Sequence, residues 1–128
     1  MISLDDYYMG RDKTYADELT EKLRENAQET VRRVNLLLDR FGSERNVRSG
    51  WRPAEINANT PRAAKNSLHM TCEACDIDDS YGSLAKWCLN NLPVLEVIGL
   101  WMESPDATPT WVHVQTKPPK SGKRVFLP

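Results

Sequence analysis

Ser67-Leu68-His69-Met70-Thr71-Cys72-Glu73-Ala74-Cys75-Asp76 is the stretch on which the reading of this chain turns. It holds one of only two histidines; the other lies downstream in Trp111-Val112-His113-Val114-Gln115. Two imidazoles and one carboxylate are a donor set that binds zinc while leaving a fourth position open to water. Whether His69 and Asp76 can reach one ion depends on the backbone between them. Along a straight strand the seven steps cover roughly 23 Å and turn the two side chains to opposite faces. A helix stacks them on one face but roughly 10 Å apart along its axis. Joint ligation therefore requires a bend between Met70 and Glu73, with Asp76 on the strand that follows. In the second segment, alternation places Trp111, His113 and Gln115 on one face of a strand, and His113 then arrives beside Asp76 from a neighbouring strand. Taken singly, a strand histidine is an ordinary hydrogen-bonded residue and an aspartate after an apolar run is a cap. Only their convergence makes a site.

Outward from this stretch, Leu19, Leu23, Ala27, Val31, Val34, Leu38 and Phe41 recur at steps of three and four. That spacing predicts a long amphipathic helix over about 14–41, stopped by Gly42. Asn46 to Trp51 reads as a short strand running into a loop. Arg52 to Asn66, rich in Pro, Asn and Ala, reads as a long surface loop of the kind that carries function. Glu73 to Asp78 is a predicted strand, and Ser80 a predicted cap for a helix over 81–91 with Leu84, Trp87, Cys88 and Leu92 inward. Pro93 ends that helix or begins a new turn. Val97 to Glu103 and Trp111 to Gln115 are predicted strands, joined by the turn-forming residues 104–109. The tail over 117–128 carries Lys117, Lys120, Lys123 and Arg124, and its Val125-Phe126-Leu127 can form an edge strand. This order predicts an α+β domain with a small antiparallel sheet and helices packed on one side.

Bulk properties narrow the function classes. A chain of 128 residues is read as a single domain with a metal-site core over about 47–115. Charged residues make up 27% of it and balance to a formal net charge of −1, which argues against nucleic acid as a partner. No apolar run approaches the ~20 residues of a membrane span. The start, Met1-Ile2-Ser3-Leu4-Asp5-Asp6, lacks the basic and apolar regions of a signal peptide. Three cysteines cannot form a complete disulfide framework. Cys72-x-x-Cys75 has no second pair, and the three thiols are expected as small core residues in a reducing compartment, with a redox role as the alternative.

The pattern Ser67-x-His69, Ala74-x-Asp76 and Trp111-x-His113, preceded by Ser49-Gly50-Trp51-Arg52-Pro53 and Asn57, resembles the zinc D-alanyl-D-alanine carboxypeptidases and peptidoglycan endopeptidases. These share their fold with the vancomycin-resistance dipeptidases and the hedgehog signalling domain, and the short phage-encoded members are the most similar. The resemblance runs from about Val47 to Gln115. It implies one zinc ion held by His69, Asp76 and His113, with Arg52 near the substrate carboxylate or the oxyanion and Ser67 beside the site. It also implies a muropeptide substrate containing D-amino acids. Trp51 and Trp111 are candidate cleft walls. Two positions depart from the pattern. Cys72 stands where relatives have Gly, in the stretch that must turn. Thr110 stands where many carry the catalytic carboxylate, three residues before the last histidine. Glu103, which a hairpin can return beside His113, is the leading substitute base, and Asp106 in the turn is the other candidate. The expectation is a monomeric zinc peptidase, made in the cytoplasm of a bacterial host and released to the wall or carried in a virion. A zinc-binding module without catalysis is the alternative that Thr110 favours.

Overall fold

The computed structural model describes residues 1–128. Its longest element follows the apolar stripe directly. After two short helices, α1 (Leu4–Tyr8) and α2 (Arg11–Thr14), and a 3₁₀ turn at Ala16–Glu18, helix α3 runs over Glu21–Phe41. It buries Ala27, Thr30, Val31, Val34, Leu37 and Leu38. The helix begins at Glu21 rather than near Thr14 because Thr20 is extended and its hydroxyl accepts the Leu23 N–H, an N-cap that ends the preceding turn. Gly42, left-handed at φ 87°, closes the other end. In α1, Ser3 and Asp6 form a reciprocal capping box, and the helix lays Tyr7 into the core.

The remaining elements are β1 (Val47–Ser49), α4 (Ala54–Ala58), β2 (Ala74–Asp78), α5 (Ser83–Leu89), α6 (Leu92–Ile98), β3 (Trp101–Glu103), β4 (Trp111–Gln115) and β5 (Val125–Phe126). The five strands form one sheet in the order β1-β2-β4-β3-β5. All neighbours are antiparallel except β3 and β5, which pair in parallel. This is the expected α+β class. One sheet face is apolar and fully covered: Cys75, Ile77, Met102, Val112 and Val114 are all buried. Helix α3 lies against β2 and α5 against β4, while α6 packs on both helices. The register fixes the opposite face too, since residues directly across an antiparallel pair point the same way. Asp76 pairs with His113, Ala74 with Gln115 and Asp78 with Trp111. No helix is long and apolar enough to cross a membrane.

Three local expectations change. The expected turn at Pro93 and the first two residues of the expected strand over 97–103 are instead a second helix, Leu92–Ile98: Pro93 occupies its first turn, where a fixed φ favours a helix, and left-handed Gly99 ends it. Only Trp101–Glu103 of the expected strand over 97–103 pairs with the sheet. The N-cap of α5 is Gly82 rather than Ser80, and Asp79 satisfies the first turn from outside it: its two carboxylate oxygens accept the Leu84 and Ala85 N–H groups at 3.0 and 2.8 Å. The loop over 52–66 contains the short helix α4. Gly50 is required by a close approach, because any Cβ there would run into the Tyr7 carbonyl, which accepts the Trp51 N–H.

The bend demanded between His69 and Asp76 is a single tight turn. Thr71 and Glu73 N–H groups both return to the Leu68 carbonyl. Cys72 adopts φ 60° just before Glu73, the left-handed residue that such a closing motif needs. Thr30 Oγ donates to the Cys72 carbonyl at 2.7 Å, and the Tyr7 hydroxyl donates to the Ala74 carbonyl at 2.7 Å, so α3 and α1 clamp both sides of the bend. A left-handed non-glycine residue costs roughly 1–2 kcal/mol, which the buried Cys72 side chain offsets. Cys72→Gly is therefore expected to change unfolding free energy by less than ~1 kcal/mol in urea titration, gaining backbone freedom as it loses packing. Cys72→Val, apolar but β-branched, should lose about 2–3 kcal/mol by strain and overpacking. Equal stability of the two variants would contradict a conformational role for this position.

Candidate metal centre

Asp76 is the hub of the site. Its Oδ1 lies 2.8 Å from His113 Nδ1, across the β2–β4 pair, and 3.3 Å from His69 Nε2, delivered by the turn. One donor atom from each of these residues lies within 4.8 Å of the others. His69 and Asp76 are buried and His113 nearly so. The two imidazole rings meet edge to face at 5.3 Å.

The outer nitrogens of both rings are already committed. His69 Nδ1 lies 2.8 Å from the Gly50 carbonyl; a carbonyl only accepts, so Nδ1 carries the proton. Burial lowers the pKa of His69, outweighing the attraction of Asp76, and keeps the ring neutral. Its Nε2 is then a buried lone pair, without any hydrogen-bond partner, facing a carboxylate oxygen. Two acceptors at 3.3 Å need a cation between them. His113 differs. Burial alone would lower its pKa, but the hydrogen bond and charge of Asp76, aided by Gln115 and Glu103, raise it above the ordinary value. The Asp76 carboxyl, which burial would push up, is held well below its usual range, the hydrogen bond and charge of His113 being the contribution consistent with a neutral His69. Nitrogen, nitrogen and carboxylate oxygen, one of them an orphaned lone pair, are the donor chemistry of an open zinc site.

A shell of hydrogen bonds holds these donors. Arg52 is buried; its Nη2 lies 3.3 Å from Asp76 Oδ2, its Nε donates to Ser49 Oγ at 3.0 Å, and its Nη1 to Asn57 Oδ1 at 3.3 Å. The Arg52 N–H also donates to the His69 carbonyl at 3.0 Å. This arginine thus touches both the acidic donor and the backbone of a histidine donor. Ser67, half-buried, accepts the His69 N–H at 3.1 Å and shapes the turn. Ser49 and Asn57 stood in the sequence only as parts of a motif, because their task appears once Arg52 is placed between them.

Other expected residues separate into two groups. Glu103 ends β3, and the pairing of Met102 with Val114 carries the next step of the register toward His113. Burial raises its pKa, while the charge of His113 lowers it and that of Asp76 raises it, so it shares the electrostatic field of the donors. Asp106 is exposed in the turn. Thr110 Oγ accepts from Arg48 Nη1 at 2.6 Å, and Arg48 also pairs with Asp78 at 2.7 Å and lies over the Trp111 ring. Trp111 is half-buried on the donor face. Trp51, expected on the cleft wall, is instead in the core: it is 1% exposed and packs edge-on against Tyr8. Its place follows from Gly50, whose contact with Tyr7 draws the next residue inward. The three cysteines are free and buried. Burial pushes the Cys72 and Cys88 thiols up to about 12 and Cys75 well above its usual range, so none offers a thiolate for redox work.

A family model described as Peptidase M15 matches residues 9–98, well over half of the chain. The matched stretch includes Arg52, His69 and Asp76 and ends before β3 and β4, so His113 comes from the remainder. Comparison with curated proteins and with solved structures gives no match. The family consists of zinc-dependent D-Ala-D-Ala carboxypeptidases and their relatives, and the chain belongs to it.

Proposed function

We propose that this chain is a single-domain zinc peptidase that hydrolyses peptidoglycan stem or cross-link peptides containing D-amino acids. The observation that carries the reading is the unpartnered, buried Nε2 of His69 facing Asp76 Oδ1, with His113 Nδ1 on the same oxygen. His69, Asp76 and His113 would hold the ion. Zinc in such a site supplies Lewis acidity, polarising a peptide carbonyl and acidifying water. Glu103 is the proposed proton carrier, on the strength of its register beside His113: its carboxylate would take the proton of the attacking water and return it to the leaving amine nitrogen. Its raised pKa suits both halves of that task. Arg52 holds Asp76 Oδ2 and so aims the carboxylate, and a guanidinium N–H left over from its three bonds can meet a substrate carboxylate or developing negative charge. Trp111 walls the donor face beside Asp78.

A second reading has one specific support. Thr110, where many relatives carry a carboxylate, is bonded to Arg48, and a zinc-holding module without catalysis would need nothing more there.

Zinc is expected to raise stability by about 2.7 kcal/mol at a hundredfold excess over Kd, read as a shift in Tm; the same addition should leave His113→Ala unchanged. That variant should also lose peptidase activity on muropeptides, and retained activity would exclude the zinc mechanism. Glu103→Gln should keep zinc affinity yet lose at least about a hundredfold in kcat. A wild-type rate in Glu103→Gln would remove it as the base, and zinc binding by the wild type with no muropeptide hydrolysis would select the module. Because Asp76 raises the pKa of His113, loading should displace a proton from that ring. The sign is fixed: zinc affinity falls as pH drops below neutrality, where the imidazolium form competes. Calorimetry in buffers of different ionisation enthalpy should read proton release, and pH-independent affinity between pH 5 and 8 would contradict it.

A further inference from the structure

We infer that Gln115 is the residue that sets the tautomer of His113 and so makes its Nδ1 available to the metal; this rests on the zinc reading above. Gln115 stands two residues beyond His113 on the same face of β4 and is buried. Its amide nitrogen donates to the Lys117 carbonyl at 2.9 Å. A backbone carbonyl only accepts, so the orientation of the amide is determined: the nitrogen faces Lys117 and Oε1 faces inward. That Oε1 lies 2.9 Å from His113 Nε2. Amide oxygen also only accepts, so His113 Nε2 must carry a proton. In the neutral ring the lone pair is then on Nδ1, which points at Asp76 Oδ1 at 2.8 Å, among the donor atoms of the candidate centre.

The chain therefore uses two different devices for its two histidines. The Gly50 carbonyl holds the proton of His69 on Nδ1 and frees Nε2. Gln115 holds the proton of His113 on Nε2 and frees Nδ1. The two rings present opposite nitrogens to one point, and a residue with the wrong polarity at position 115 would turn one of them away. Hydrogen bonds of this kind orient ligand imidazoles and raise their basicity, and losing one typically weakens metal binding 10–100-fold. The anchor on Lys117 matters as much as the acceptor, because without it the amide could rotate and offer its nitrogen to the ring. Gln115 is a positioning residue in this account and touches neither substrate nor metal.

The test measures zinc affinity by competition with a chromophoric chelator, and the ring itself by nitrogen-15 NMR of histidine-labelled protein. Gln115→Leu should lose zinc affinity 10–100-fold, while Gln115→Glu, which keeps an acceptor oxygen, should recover most of that loss. In the zinc-free protein, at a pH where His113 is neutral, the wild type should hold the ring proton on Nε2 and Gln115→Leu should shift it toward Nδ1, beside Asp76; a merely packing role for Gln115 would leave the tautomer unchanged. Wild-type affinity in Gln115→Leu, or a His113 protonated on Nδ1 in the loaded wild type, overturns the assignment while leaving the metal centre in place. A wild-type protein that binds no zinc overturns the centre itself and this assignment with it. If Gln115→Leu does not fold, the zinc-free wild type still tests the assignment: a neutral His113 protonated on Nδ1, facing Asp76, overturns it.

Discussion

The site depends on an unbalanced meeting of lone pairs. Asp76 Oδ1 faces two imidazole nitrogens at 2.8 and 3.3 Å, and both rings have their other nitrogen occupied by an acceptor, the Gly50 carbonyl and Gln115 Oε1. With both rings neutral, three lone pairs would converge in a region nearly closed to water. Electrostatics at such a point can be settled by a proton or by a metal ion. The raised pKa of His113 is the proton solution, and the unpartnered Nε2 of His69 is what the proton solution leaves behind. On the proposed reading, a divalent cation would satisfy all three donors at once.

Much of the surrounding structure can be understood as holding that arrangement in place. A buried carboxylate is costly unless it is paired and hydrogen-bonded, and Arg52 supplies the pairing through Asp76 Oδ2, leaving Oδ1 for the imidazoles. Arg52 is itself held by Ser49 and Asn57, so its guanidinium has little freedom to swing away. The turn that brings His69 to Asp76 is clamped by Thr30 from α3 and by Tyr7 from α1, two residues distant in sequence. Because the helical layer buries the opposite face of the sheet, a one-residue slip of β4 would carry His113 into the core and Val112 or Val114 to the site. The apolar residues of β4 thus enforce the position of its histidine as firmly as any polar contact does.

The parts of this arrangement governed by simple periodicity were legible in the sequence. Alternation alone put Trp111, His113 and Gln115 on one face, and the requirement of joint ligation alone demanded a bend near Cys72, which is the left-handed residue of the turn. The helix after Thr20 followed from its stripe, though not its start, because the cap competes with an apolar pattern that continues upstream through Leu19. Other features depend on tertiary partners that no local pattern encodes. Trp51 looked like a cleft aromatic but is drawn into the core by the contact of Gly50 with Tyr7. Leu92 to Ile98 is an apolar run that fits strand or helix equally, and Pro93 in the first turn together with packing on α3 decided for helix. Asp79, rather than the nearer Ser80, satisfies the first turn of α5 because its carboxylate can reach two N–H groups at once.

Thr110 and Glu103 stand in different electrostatic surroundings, which bears on the proposed base. Thr110 precedes β4, at the end of the site face where Arg48, Asp78 and Trp111 form their own cluster. A carboxylate placed there would meet the Arg48 guanidinium, be held ionised by it, and compete with Asp78 for the same partner. Glu103 forms no salt bridge of that kind: burial raises its pKa, while the charge of His113 lowers it and that of Asp76 raises it. A group meant to accept and then release a proton near neutral pH works best with a pKa lifted toward that range rather than pinned low by an ion pair. By that criterion the proposed base at the end of β3 is better suited than a carboxylate at position 110 would be, where Thr110 is instead hydrogen-bonded to Arg48.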